Sequence, residues 1–196
     1  MHRDMSQSGF RSAKHATHAD LEALSDRYVG EILGGELYAT PRPRLRHARA
    51  TGWLDRRLGP PFDEGSGGPG GWWILIEPEL HFGEDVVVPD LAGWRRERLP
   101  VVPDAPYLEL APDWACEIIS PSTERIDRGL KLGIYAREKV SHVWLFNPDA
   151  CTLETLRLQD GQGLVVSIHT GESPVRAEPF EAVALDFAGF WEPPTT

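Results

Sequence analysis

The residues best suited to chemistry in this chain are acids placed inside apolar β-runs. In Trp114-Ala115-Cys116-Glu117-Ile118-Ile119 the side chains alternate in direction, so Ala115, Glu117 and Ile119 share one face. A carboxylate among such neighbours is costly unless it is paired or bound to a metal. The other reading makes Glu117 a solvent-facing residue near a strand end. Asp90 closes the run Val86-Val87-Val88-Pro89 in a similar setting, as a site acid or as a turn-initiating aspartate. Beyond Glu117 come Asp127, Lys131 and Tyr135, spaced four and four, which stacks them on one helix face. They form either a solvated Asp–Lys pair or a row leaning back over the strand end that bears Glu117. An aspartate, a glutamate and a lysine converging at a strand end have a coherent chemistry. Two carboxylates supply hard oxygen ligands for Mg²⁺ or Mn²⁺. The metal activates water and stabilises phosphoryl charge, and the lysine supports the attacking water or the developing negative charge. That combination hydrolyses phosphodiesters.

These residues need strands and a helix to hold them, and the sequence provides both. Residues 1–17 are polar and aperiodic and read as a flexible tail. Asp20 is placed to cap a short helix with Leu21, Leu24 and Tyr28 as its apolar positions. Gly34-Gly35 turns a small hairpin. A second helix, entered through Pro41 and Pro43, runs to about Leu58 and stops at Gly59-Pro60-Pro61. Strands are expected over 72–76, 79–82, 85–90, 113–120, 141–146, 152–158 and 163–168, with a helix from the 120–124 turn to about Lys139. Counting back from the turn at Gly83-Glu84 places Glu79 near Pro89 and Asp90. Phe187, Phe190 and Trp191 are expected to dock on the core. No repeat and no linker divides the chain, so residues 18–196 read as one α+β domain built on a mixed sheet.

Composition limits the alternatives. The chain has 196 residues, 20 Lys+Arg and 30 Asp+Glu, for a net charge of −10. It has no apolar run long enough for a membrane span, and its two cysteines point to the reducing cytoplasm. There is no phosphate loop, GxGxxG, HExxH, CxxC or GxSxG. The charge is uneven: from Pro41 to Gly59 six arginines stand against Asp55 alone. That helix presents either a solvated face or a basic face for phosphates, with Arg46 and Arg49 as the candidates. Trp72, Trp73, Trp144 and Trp191 exceed the evident needs of the core, which makes a homodimer an expectation.

The stretches PDLAGWRRERLP (89–100) and PDWACEIISPSTERIDRGLKLGIYAREKVSHVWLFNP (112–148) resemble the Uma-two family of the PD-(D/E)XK nuclease superfamily. The resemblance extends upstream through Gly30-Glu31, Gly35-Glu36-Leu37 and His47. It implies a restriction-endonuclease-like mixed β-sheet flanked by helices, and a Mg²⁺- or Mn²⁺-dependent endonuclease acting on nucleic acid, DNA first. Asp90 matches the superfamily aspartate and Glu117 the second acid. The lysine usual two residues later is Ile119 here, and Lys131 resembles the migrated lysine of such variants. Glu79 would be a third metal-site acid, with Tyr135 and Asp127 in support. His47 matches a histidine typical of the family, as a substrate contact or a structural residue. A competing reading is a non-catalytic descendant that keeps the fold to bind nucleic acid or a protein partner.

Overall fold

The computed structural model describes residues 10–11, 15–171, 173–187 and 190. Most of the expected N-terminal tail lies outside them, as does Trp191. Two residues of that tail, Phe10–Arg11, form β1 and pair with the third strand. Helix α1 (His18–Glu22) is capped by Thr17, whose backbone N–H donates to the Asp20 carboxylate at 2.8 Å. Asp20 therefore serves the cap from the third helical position. Tyr28 is not on this helix. It opens β2 (Tyr28–Leu33), which turns through Gly34-Gly35 into β3 (Glu36–Pro41), and Tyr28 pairs with Pro41. Both turn glycines have φ above +60°, the region a tight hairpin requires.

Pro41 thus ends a strand, and α2 (Leu45–Leu58) begins four residues later. The chain does not stop at Gly59 but widens into a π-helical turn, Gly59–Glu64. Four strands follow: β4 (Trp72–Ile76), β5 (Leu80–Phe82), β6 (Asp85–Val87) and β7 (Leu91–Arg95). After β8 (Trp114–Ile118) come α3 (Glu124–Ile126), a π-helical turn (Asp127–Lys131) and α4 (Leu132–Arg137). The last strands are β9 (His142–Asn147), β10 (Thr152–Gln159) and β11 (Gln162–Thr170).

The strands form two sheets, with orders β1-β3-β2-β6-β5 and β11-β10-β9-β8-β7-β4. The larger sheet is mixed, since β8 and β9 run parallel and its other pairs antiparallel. The α3–α4 connection makes that parallel crossover affordable in chain length. Alternation along β8 sorts its side chains into two cores. Trp114, Cys116 and Ile118 pack with Trp53, Leu54 and Leu58 of α2 and with Phe180, Phe187 and Phe190. Ala115 and Ile119 pack on the other side with Leu33, Leu80, Val87, Ile134 and Tyr135. Glu117 points into this second side, at a gap between the two sheets and α4.

Three of the tryptophans behind the dimer expectation are used internally. Trp72 and Trp144 are buried in the first core, and Trp73 donates its indole N–H to the Leu99 carbonyl at 2.9 Å. Among the described residues no helix is long and apolar enough to cross a membrane.

Candidate active site

Asp90 owes its position to a change of sheet. The chain leaves the first sheet at Val87 and enters the second at Leu91, and Asp90 lies on the step between. Leu91 pairs with Cys116 on one side and Ile76 on the other. Extending both registers by one residue sets Asp90 between Glu117 and Glu77. Two hydrogen bonds fix it there. The Glu77 N–H donates to the Asp90 carbonyl at 3.1 Å, and the Ile118 N–H donates to Asp90 Oδ2 at 2.7 Å. His47, on α2, holds the other oxygen, with Nε2 3.2 Å from Asp90 Oδ1.

Glu117 is only 2% exposed. The Tyr135 hydroxyl donates to Oε1, and Lys131 Nζ lies 2.9 Å from both oxygens. Lys131 is itself 3% exposed and has two further acceptors, the Val88 carbonyl at 3.0 Å and Glu31 Oε1 at 3.0 Å. The Glu31 carboxylate also accepts the Val88 N–H at 2.8 Å, so it ties β2 to the step that carries Asp90. Ile119, where a lysine is usual, is buried in the second core and donates its N–H to Phe146. Lys131 brings an ammonium to Glu117 from the π-helical turn instead. Such turns reset the facing of a helix by one residue and recur at functional sites. Here Asp127, Lys131 and Tyr135 are all buried and all point inward, which removes the reading of a solvated surface pair.

All of these groups except Tyr135 line a cleft of about 530 Å³. Its floor carries Glu31, Asp90, Glu117, Asp127 and Lys131, and its rim carries Arg42, Arg44, Arg46, His47 and Glu77.

Residues 19–188 match the sequence profile of the Uma2 family, whose description is "putative restriction endonuclease". The chain belongs to the Uma2 family. Its fold is similar to the crystal structure of a protein titled "putative nuclease belonging to DUF820" from Anabaena variabilis ATCC 29413. That match has a TM-score of 0.66 and 19% identity, and covers 87% of this chain and 94% of the other. No curated protein matches the chain.

Not every expected residue of this Uma2 chain reaches the cleft. Glu79 does not line it, because β5 and β6 pair as Leu80 with Val87, and Asp90 has already left for the other sheet. Glu79 instead lies 2.7 Å from His81 Nε2. Glu77 is the acid beside Asp90. Arg49 is also turned away: its guanidinium donates to the Phe190 carbonyl at 3.1 Å and stacks over the Phe190 ring. Arg46 does reach the rim, where it pairs with Asp149. Glu31 is the residue that sequence reasoning missed as a site acid. Its signal was the same as that of Glu117, an acid set between Val29 and Ile32-Leu33 in an apolar strand.

The charges at the floor of the cleft do not balance. Four carboxylates, Glu31, Asp90, Glu117 and Asp127, surround the Lys131 ammonium there, with the His47 imidazole at the rim. Burial pushes the Asp127 carboxyl up to about 6, against the pull of Lys131. Burial opposes the Lys131 charge too, but Glu117 and Glu31 more than offset it and raise its pKa. His47 is raised by Asp90 in spite of its burial. A dication fits this donor set on two grounds. The oxygens are hard ligands suited to Mg²⁺ or Mn²⁺. Asp90 and Glu117 each retain lone pairs beyond those already engaged.

Proposed function

We propose that the protein is a metal-dependent nuclease in which Asp90 and Glu117 hold Mg²⁺ or Mn²⁺ and Lys131 completes the catalytic group. The observation that carries this reading is the convergence of Asp90, Glu117 and Lys131 in one open cleft with surplus negative charge. The metal, when bound, supplies a water of lowered pKa and a Lewis acid for the phosphoryl oxygens. This chain's own residues do the rest. The Ile118 N–H and His47 orient Asp90, and Tyr135 and Lys131 orient Glu117. Burial pushes the Glu117 carboxyl well above its usual range; the Lys131 ammonium opposes that shift and offers positive charge toward an attacking water. Arg42, Arg44 and Arg46 give the rim a basic edge for backbone phosphates, on a chain that is acidic overall. DNA is the favoured substrate because of the restriction-endonuclease description of the family.

The test is incubation with single- and double-stranded DNA and with RNA, in Mn²⁺ or Mg²⁺ and with a chelator control. Cleavage that needs the metal supports the proposal. No product from any substrate in either metal leaves the second reading, a non-catalytic nucleic-acid-binding protein. One observation favours that reading: Lys131 has carboxylate or carbonyl partners for all three of its protons. Both cysteines are free, which supports a cytoplasmic setting. The homodimer draws its remaining support from Val165, Val166 and Ile168, exposed on the edge strand β11. A monomer in light scattering at tens of micromolar (roughly the range of a modest interface) removes it.

A further inference from the structure

Away from the cleft, a second group of potential ligands comes together from two elements. His18 is the first residue of α1, His81 lies on β5, and Glu79 immediately precedes that strand. Strand alternation puts residues two apart on one face. One ligand atom from each of the three side chains lies within 4.8 Å of the others. The Glu79 carboxylate is 2.7 Å from His81 Nε2, and the His18 and His81 rings meet edge to face with centroids 5.2 Å apart. The His81 ring has a further aromatic partner. Tyr107 stacks on it with centroids 3.8 Å apart and planes 2° from parallel. The strand beneath is fixed by the bonds of His81 N to Leu108 O at 2.9 Å and Leu108 N to Glu79 O at 3.0 Å. A ring held in orientation beside a carboxylate, with a second imidazole within reach, brings the ligand types of one metal site together.

We propose that His18, Glu79 and His81 form a site for a borderline transition-metal ion of the Zn²⁺ type. Two imidazoles and one carboxylate suit Zn²⁺, Co²⁺ or Ni²⁺ and suit Mg²⁺ poorly, whereas Asp90 and Glu117 in the cleft offer carboxylate oxygens. The two sites therefore differ in metal preference. With three protein ligands, water completes the shell. Bound there, the ion joins residue 18 to residues 79 and 81 and fastens α1 to the first sheet. That matters for the cleft because α1 and the residues just after it rest on β2 at Gly30, where an added Cβ would come within 2.7 Å of Leu21 and 2.4 Å of Leu24. Gly30 precedes Glu31, which holds Lys131. The clip would thus act as a structural metal near the site, not as its catalytic ion.

The probe is Co²⁺, followed by its visible absorption, with Zn²⁺ added as competitor. One equivalent of Co²⁺ should give the intense bands of a low-symmetry site, and Zn²⁺ should bleach them. His81→Ala and His18→Ala should each abolish the signal, while Asp90→Asn should leave it in place. Zn²⁺ should also raise the melting temperature of the wild type and not of the two histidine variants. His18 is exposed, so His18→Ala tests the site without opening the core. The proposal is overturned if wild type gives no Co²⁺ signal, or if the signal survives in both histidine variants or disappears in Asp90→Asn.

Discussion

Lys131 and Glu117 form a buried ion pair, with Nζ 2.9 Å from the carboxylate and neither side chain more than 3% exposed. The lysine comes from the helical segment after the strand because Ile119 takes the usual position and is committed to the core. Burial makes the pair consequential for stability as well as chemistry. Breaking such a pair strands a charge and costs about 3–5 kcal/mol, against ~0–1 kcal/mol for an exposed pair.

Lys131→Met should therefore lose about 3–5 kcal/mol in urea denaturation at pH 7, because Glu117 and Glu31 would be left without their cation. The double variant Lys131→Met, Glu117→Gln should be more stable than the single one. Equal or greater loss in the double variant contradicts a coupled pair. Cleavage by Lys131→Met should fall by ~10²–10³-fold, the scale for losing one preorganised electrostatic group.

Asp127 makes a pH-dependent prediction. Its carboxyl titrates at about 6 in the folded protein and from 3.8 as a free group. Between those values the folded state binds the extra proton, so this contribution to stability is complete below about pH 4 and is lost as pH rises through 6. Metal-free Asp127→Asn should be more stable than wild type at pH 7, by up to about 3 kcal/mol for a shift near two units. It should also show a flatter stability profile between pH 4 and 7. Denaturant melts across that range check it; an unchanged slope would assign the pH dependence to other groups.

Much of this arrangement was legible in the residues. The runs at 72–76, 114–118 and 142–147 are apolar and bounded by turn signals, and Asp160-Gly161 marks the last hairpin. Glu117 stood out because both its face-mates are apolar. Strand β7 was not legible: Leu91, Ala92, Gly93 and Trp94 are all buried, so no alternation shows, and arginines follow. That omission also misplaced Glu79. A hairpin count assumes one continuous sheet, and the chain changes sheets between Val87 and Leu91. The spacing of four placed Lys131 on one face with Asp127 and Tyr135, but it could not reveal the π-helical turn that carries it.

The rim arginines should divide by function. Arg46 faces the cleft and pairs with Asp149 in an exposed contact worth little by itself. If DNA binds, Arg46→Gln should reduce the slope of log affinity against log salt by about one phosphate contact. Asp149→Asn should tighten binding by freeing Arg46. Arg49→Gln should leave the slope unchanged, since that guanidinium is held by Phe190. A reversed pattern would move the phosphate track to the far side of α2.

The most direct test of the account is Mn²⁺ titration by calorimetry in a His81→Ala background, which isolates the cleft. The parent should bind Mn²⁺, and Asp90→Ala and Glu117→Ala should each remove that binding, because neither acid alone supplies the donor set. Binding that persists unchanged in both variants would contradict a metal centre at Asp90 and Glu117.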